Sequence, residues 1–303
     1  MRTAFLLLFV GLCHAQLVQP VRELIARKDF ASAERLIGEY EKARGRDPES
    51  ILAYSWLGRG AQAAKDWDAA ARYAAETRKL CLEALKTRKL DDEPRLPTAL
   101  GASIEVQGHT LAGQGQRDEA VAFLRKELAA WRSTSMRTRI QKNLNLIDLE
   151  GKPAPEIEIA GSLGPVKAAP LRSLKGKPYV LFFWAHWCAD CKRQGPILAR
   201  LEREFAGKGL TVVGPTQKYG YVAGGREATA QEELEYIEQV RRAYYSELAH
   251  MAVPVSEENF KAWGCSSSPT LALVDKAGIV RLFHPGAMSY EELLPHVKKA
   301  VGD

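Results

Sequence analysis

A chain of 303 residues, 46% hydrophobic and 26% charged, has the balance of a soluble globular protein of roughly two domains. Its net charge of +6 is spread out: residues 16–150 carry 23 Lys+Arg against 20 Asp+Glu, and residues 151–303 carry 19 against 17. No segment holds the concentrated basic patch that nucleic-acid binding needs, so no nucleic-acid partner is expected.

At the N-terminus, Arg2 precedes a continuous apolar run from Ala4 to Leu12, and Cys13-His14-Ala15 ends on a small residue. This reads as a leader, residues 1–15, cut after Ala15. The run is too short to cross a bilayer, so no stable membrane span is expected after cleavage. A retained anchor is one alternative. A lipoprotein signal through Cys13 is another, opposed by the bulky Leu12. Export implies a periplasmic or secreted location, where disulfides persist. Four cysteines remain, Cys81, Cys188, Cys191 and Cys265, too few for a disulfide-stapled scaffold.

Residues 16–150 are expected to form an all-α domain. Alanine is frequent and apolar positions recur at three- and four-residue spacing. Three segments share one pattern: Lys28-Asp-Phe-Ala-Ser-Ala33 with Ile37, Lys65-Asp-Trp-Asp-Ala-Ala70 with Ala74, and Gly115-Gln-Arg-Asp-Glu-Ala120 with Leu124. Small residues such as Gly58, Ala61 and Gly108 allow paired helices to approach closely. The pattern resembles degenerate tetratricopeptide repeats, with the charged loop Lys86–Pro97 as an insertion; a plain helical bundle is the alternative. Either array leaves a groove suited to a protein or peptide partner. Cys81, between Leu80 and Leu82, reads as a small core residue.

Gly151-Lys-Pro-Ala-Pro155 breaks the helical pattern and opens a second domain, residues 151–303. Strands are expected at Glu156–Ile159, Pro165–Ala168, Tyr179–Trp184, Gly209–Gly214, Thr270–Asp275 and Ile279–Phe283. Helices are expected at Lys192–Ala206, kinked by Gly195-Pro196, at Thr229–Leu248 and at Ser289–Val301, with a short turn or helix at Asn259–Gly264. The alternation argues α/β layers. The loop 215–225, with two tyrosines and three glycines, is surplus to that framework and is either decoration or a neighbour of the site.

The apolar strand 179–184 delivers Cys188-Ala-Asp-Cys191 to a helix start. Cysteines three apart can close a disulfide with little backbone movement. At a helix N-terminus, free N–H groups and the macrodipole favour the thiolate, the reactive form. Cys188 is therefore the expected exposed nucleophile and Cys191 the resolving thiol. A zinc site wants two such pairs and is disfavoured, so no metal or cofactor is expected. A static structural disulfide is the remaining alternative.

The stretch Leu171-Arg-Ser-Leu-Lys-Gly-Lys177, the strand, and Phe183-Trp-Ala-His-Trp-Cys-Ala-Asp-Cys191 together resemble the extracytoplasmic thioredoxin-like thiol–disulfide oxidoreductases of the TlpA/ResA type, over residues 151–301. The resemblance implies a thioredoxin-like fold after the helical domain. It also implies a cis-proline at Pro269 facing the cysteines, with Ser268 pairing its backbone with a bound protein substrate and Trp187 beside it. Two positions depart from the family. Phe182 replaces the buried Asp of cytoplasmic thioredoxins, and Gln194 replaces the Glu of ResA-like proteins. Asp190 beside the thiols opposes the thiolate and tilts the expectation toward reductase or isomerase work. His186 is either an exposed spectator or, when protonated, a partner of the thiolate. Cys265 is either a third redox thiol or a buried apolar cysteine. The expected function is disulfide exchange with a protein thiol or disulfide, the helical repeats recruiting a partner. The alternative is an interaction scaffold with a catalytically weak thioredoxin fold.

Overall fold

The computed structural model describes residues 17–302; the expected leader, residues 1–15, lies outside them. The chain forms two compact units that divide between Thr110 and Leu111.

The first unit is helical: α1 Val18–Ala26, α2 Phe30–Arg44, α3 Pro48–Ala63, α4 Trp67–Ala84 and α5 Arg95–Gly113, the last running three residues past the division. Aspartates cap three of these helices. Asp29, Asp47 and Asp66 accept hydrogen bonds from the backbone N–H groups of Ser32, Ser50 and Ala69. Each satisfies a donor that a helix start leaves unpaired. Lys28 and Lys65 take φ of 62° and 59°, and Gly115 takes 83°. After each, one N–H reaches five residues back: Asp29 to Leu24, Asp66 to Ala61, Gln116 to Leu111, at 2.9–3.0 Å. These are the three turns whose sequences match, so the repeated pattern encodes a repeated helix stop and restart. Gly58 seats its face against Tyr73 and Val106. Burial pushes the Cys81 thiol up to about 12, as suits an inert core cysteine.

The second unit opens with α6 Arg117–Ala130 and α7 Arg137–Asp148. It continues as β1 Ser162–Leu163, β2 Tyr179–Phe183, α8 Ala189–Glu204, β3 Thr211–Val213, α9 Ala230–Tyr244, β4 Val253–Pro254, α10 Glu257–Trp263, β5 Thr270–Val274, β6 Val280–Pro285 and α11 Tyr290–Val301. Four strands form one sheet in the order β3-β2-β5-β6, with β2 parallel to β3 and antiparallel to β5. β1 and β4 form a separate antiparallel pair.

All five residues of β2 are buried because both faces of the sheet are covered. Val180 and Phe182 point into one layer with α8, α9 and α11. Tyr179, Leu181 and Phe183 point into the other, with Phe260 and Trp263 of α10. α7 belongs to this second face. Asn145 donates to the Trp263 carbonyl at 2.8 Å, and Arg137 pairs with Glu258. The helical pattern of the sequence thus continues past the division into the unit that carries the sheet.

Two expected strands are absent. Glu156–Ile159 has an alternating pattern, yet the Glu158 backbone bonds the Asn259 side chain in both directions, at 2.7 and 2.9 Å, so a side chain replaces a neighbouring strand. Pro165–Ala168 forms no ladder either. The pairing falls earlier, at Ser162–Leu163, before Gly164 turns the chain at φ +81° and Pro165 withholds a donor. α8 starts three residues before the expected Lys192 and runs through Pro196.

Gly195 lets α8 approach Tyr245. A Cβ there would lie 2.7 Å from the ring and 3.0 Å from the Tyr244 carbonyl. Gly195→Ala is expected to cost about 1–3 kcal/mol of stability through overpacking, read as a lower denaturant midpoint at unchanged m.

Candidate functional site

β2 ends at Phe183, opposite Thr270, the first residue of β5. This register brings the turn after β2 beside the Ser268–Pro269 peptide, which is cis. Both ends of that crossing are pinned. Trp184 donates its backbone N–H to the Pro215 carbonyl and its indole N–H to the Gly214 carbonyl, and its carbonyl accepts from the Thr216 hydroxyl at 2.9 Å. On the other side, the Pro269 carbonyl accepts from Gly286 at 2.8 Å.

Cys188 caps α8. Its sulfur accepts from the Cys191 N–H at 3.0 Å and is joined to Cys191 in a disulfide, the two Cα atoms 5.2 Å apart. Contrary to expectation, Cys188 is buried, 3% exposed, because its sulfur is folded back over the first turn of α8. Both sulfurs belong to the apolar layer of Phe182, Trp184 and Leu198. Asp190 points outward and pairs with Arg193, so its charge is engaged by a cation on the solvent side.

Phe182 packs edge-to-face on Tyr245 at 5.5 Å, and no acid stands there. Gln194 is buried and accepts from the Met288 N–H at 2.9 Å, while its Nε2 has no partner. Its position is thus structural: it ties α8 to the segment leading into α11. Cys265 lies in the opposite layer of the sheet from the cysteine pair, and burial pushes its thiol well up, opposed by a bond with Thr270. It is a free, buried cysteine in an apolar layer, as the apolar alternative expects.

His186 overturns the reading of an exposed spectator. It is 1% exposed, and its Nε2 lies 3.2 Å from Glu233, also 1% exposed. Tyr219, Tyr221 and Tyr236 stand edge-on around the ring at 5.3–5.5 Å. The enclosure forms because Glu233 also accepts the backbone N–H groups of Tyr219 and Gly220, which folds the loop 215–225 over the histidine. Burial holds His186 below its ordinary value, and Glu233 pulls the other way. The loop therefore packs against the residue two positions before Cys188.

Trp187 is 49% exposed and rests edge-on against Tyr219 at 5.6 Å. Burial pushes the Tyr219 hydroxyl up to about 12, against side-chain hydrogen bonds with Gln217 and Ser268. Tyr219 thus touches both the cysteine turn, through Trp187, and the proline loop, through Ser268. Sequence reasoning missed Tyr219 and Glu233. The loop tyrosines were visible as a surplus, but Glu233 in the first turn of α9 looks like any acid that complements a helix dipole.

The AhpC/TSA family model matches residues 151–220. The chain is similar to the thiol:disulfide interchange protein DsbE of Xylella fastidiosa (strain Temecula1), 30% identical over 148 residues, 49% of this chain and 66% of that protein. It is also similar to the thiol-disulfide oxidoreductase ResA of Bacillus thuringiensis subsp. konkukian, 27% identical over 149 residues, 49% of this chain and 77% of that one. A solved thiol:disulfide interchange protein of the thioredoxin family from Chlorobium tepidum aligns over 51% of this chain and 99% of its own, at 24% identity and a TM-score of 0.39. The chain spans just under two thirds of the Xylella protein, and these matches cover about half of this chain.

Proposed function

We infer that this chain, whose C-terminal half is a thioredoxin-like domain related to the thiol:disulfide interchange proteins, exchanges disulfides with a protein substrate through Cys188 and Cys191. One observation carries the reading: the disulfide caps the helix that follows the central strand, and the sheet register sets the cis Ser268–Pro269 peptide beside the same turn. In the reduced protein, the Cys188 thiolate attacks a substrate disulfide and a substrate thiolate leaves. Cys191 then loses its proton and attacks the Cys188 sulfur, which frees the substrate and reforms the disulfide. Free N–H groups at the start of α8 favour the thiolate at Cys188. Ser268 and Trp187 flank the place where the substrate chain would lie.

Location and partners follow from sequence. The leader supports an extracytoplasmic site of action, and the relatives act in thiol–disulfide chemistry by their names. The repeated helix turns before residue 150 support a tetratricopeptide-like region that docks a protein partner. Among the described residues no helix is long and apolar enough to cross a membrane.

Cys191→Ala tests the reading. It is expected to accumulate a mixed disulfide between Cys188 and the substrate, captured from the native host and resolved by non-reducing gels and mass spectrometry. A variant that captures nothing, in a protein whose wild type leaves a model disulfide unreduced, would favour the scaffold reading, which the apolar Phe182 and amide Gln194 beside the thiols support.

A further inference from the structure

Phe182 and Gln194, in the elements on either side of the cysteine pair, are both neutral. A buried carboxylate reaches the redox turn by another route. Glu233 enters from α9 and meets His186, two residues ahead of Cys188. Its oxygens already accept two backbone N–H groups, from Tyr219 and Gly220. An acceptor so placed holds the imidazole hydrogen on Nε2 and leaves the lone pair on Nδ1. That Nδ1 is buried and has no hydrogen-bond partner. An unpartnered buried nitrogen costs free energy, and such groups in a folded protein ask for a functional account.

Tyr219 and Tyr221 face the His186 ring from the loop, and Tyr236 and Glu233 from α9. The charge of Lys192, in the first turn of α8, acts on it as well. His186 stands two residues before Cys188, the N-cap of that helix. Tyr219 and Tyr236 pack on the same apolar layer as Cys188 and Cys191.

We propose that the buried His186–Glu233 couple is the proton-holding group of the redox pair. In the reduced protein the S–H bond of Cys188 breaks, its electron pair stays on sulfur, and the proton bonds to Nδ1 of His186. Glu233 keeps the Nε2 hydrogen and balances the imidazolium. When the thiolate attacks a substrate disulfide, that bond breaks and the departing substrate sulfur takes the proton from Nδ1. Glu233 is the positioning residue of the couple. The proposal rests on the exchange reading above. It gives the imidazole two regimes. With the disulfide closed, burial holds the ring below its ordinary value; with the thiols open, a nearby thiolate favours the imidazolium.

Two measurements on the full chain test this. The first needs no variant: the His186 ring is titrated by NMR in oxidised and reduced protein. Its midpoint is expected to rise on reduction, in step with thiolate absorbance. The second compares alkylation of Cys188 across pH in wild type, His186→Asn and Glu233→Gln. At about pH 6 both variants are expected to react about tenfold more slowly, one pKa unit of lost thiolate, while at about pH 9 all three converge. A ring that titrates identically in both redox states, or folded variants whose profiles superimpose on wild type, would overturn the couple. The thiolate titration needs no turnover. A wild type that shows the coupled titration but reduces no disulfide therefore supports the couple and sinks the exchange reading instead.

Discussion

Cys188→Ser is expected to abolish reduction of a model disulfide, a loss on the order of 10³-fold or more, down to the uncatalysed background. Three links produce that outcome. The hydroxyl of serine does not ionise near neutral pH, so the helix start that favours a thiolate has nothing to act on. Serine forms no disulfide, so neither the mixed intermediate nor the closed pair seen at the N-cap of α8 can exist. Cys191 does not substitute, because it lies inside α8 rather than at the N-cap and is 0% exposed. The fold should survive. Serine is a favoured N-cap residue and can accept the Cys191-position N–H that the sulfur accepts now. Unchanged circular dichroism together with lost turnover is thus the expected pair of readings. Retained turnover would mean that the exchange chemistry lies elsewhere in the chain.

The second large effect is on stability. Gly264 caps α10 in the left-handed conformation, φ 66° and ψ 33°. A Cβ there would sit 2.3 Å from the Lys142 nitrogen and 2.7 Å from the Gln141 carbonyl carbon, both backbone atoms of α7. Backbone in mid-helix cannot swing aside as a side-chain tip can. Gly264→Ala should therefore cost about 1–2 kcal/mol for the left-handed backbone and about 1–3 kcal/mol for the overlap. At about 2–4 °C per kcal/mol for a unit of this size, the melting temperature should fall by roughly 10 °C. Gly278→Ala separates the two contributions. Its φ is +82°, but nothing lies within 4 Å of the added carbon, so only the backbone cost applies. Equal losses in the two variants would show that α7 yields easily and is not held against Gly264.

The central strand was legible because five consecutive apolar residues bounded by Pro178 and the cysteine motif admit few other fates, and both faces of β2 are indeed covered. Pro269 was legible through its family place, and its peptide is cis. Local pattern misled where a distant side chain decided the outcome. Glu156–Ile159 alternates like a strand, but Asn259, about a hundred residues on, takes its hydrogen bonds. His186 looked exposed because a histidine between alanine and tryptophan carries no sign of burial. Its cover comes from Tyr219, Tyr221 and Tyr236, which only the folded loop and α9 bring to it. Glu233 was hidden for the same reason: nothing in a helix start distinguishes an acid that faces solvent from one that faces a ring.

The seat of α7 on α10 bears on how such a protein can be rearranged over evolutionary time. The Pro/Gly punctuation at 151–155 looks like a natural joint at which the module could be cut out and grafted onto other partners. Yet the Trp263 carbonyl accepts its hydrogen bond from Asn145, and the Phe283 N–H donates to Glu150, both partners lying upstream of that joint. A graft beginning at Gly151 would wet a buried carbonyl and strip the cover from the Gly264 turn. The heritable unit is therefore longer than the motif that names it, and recombination that respects it must carry α7 along.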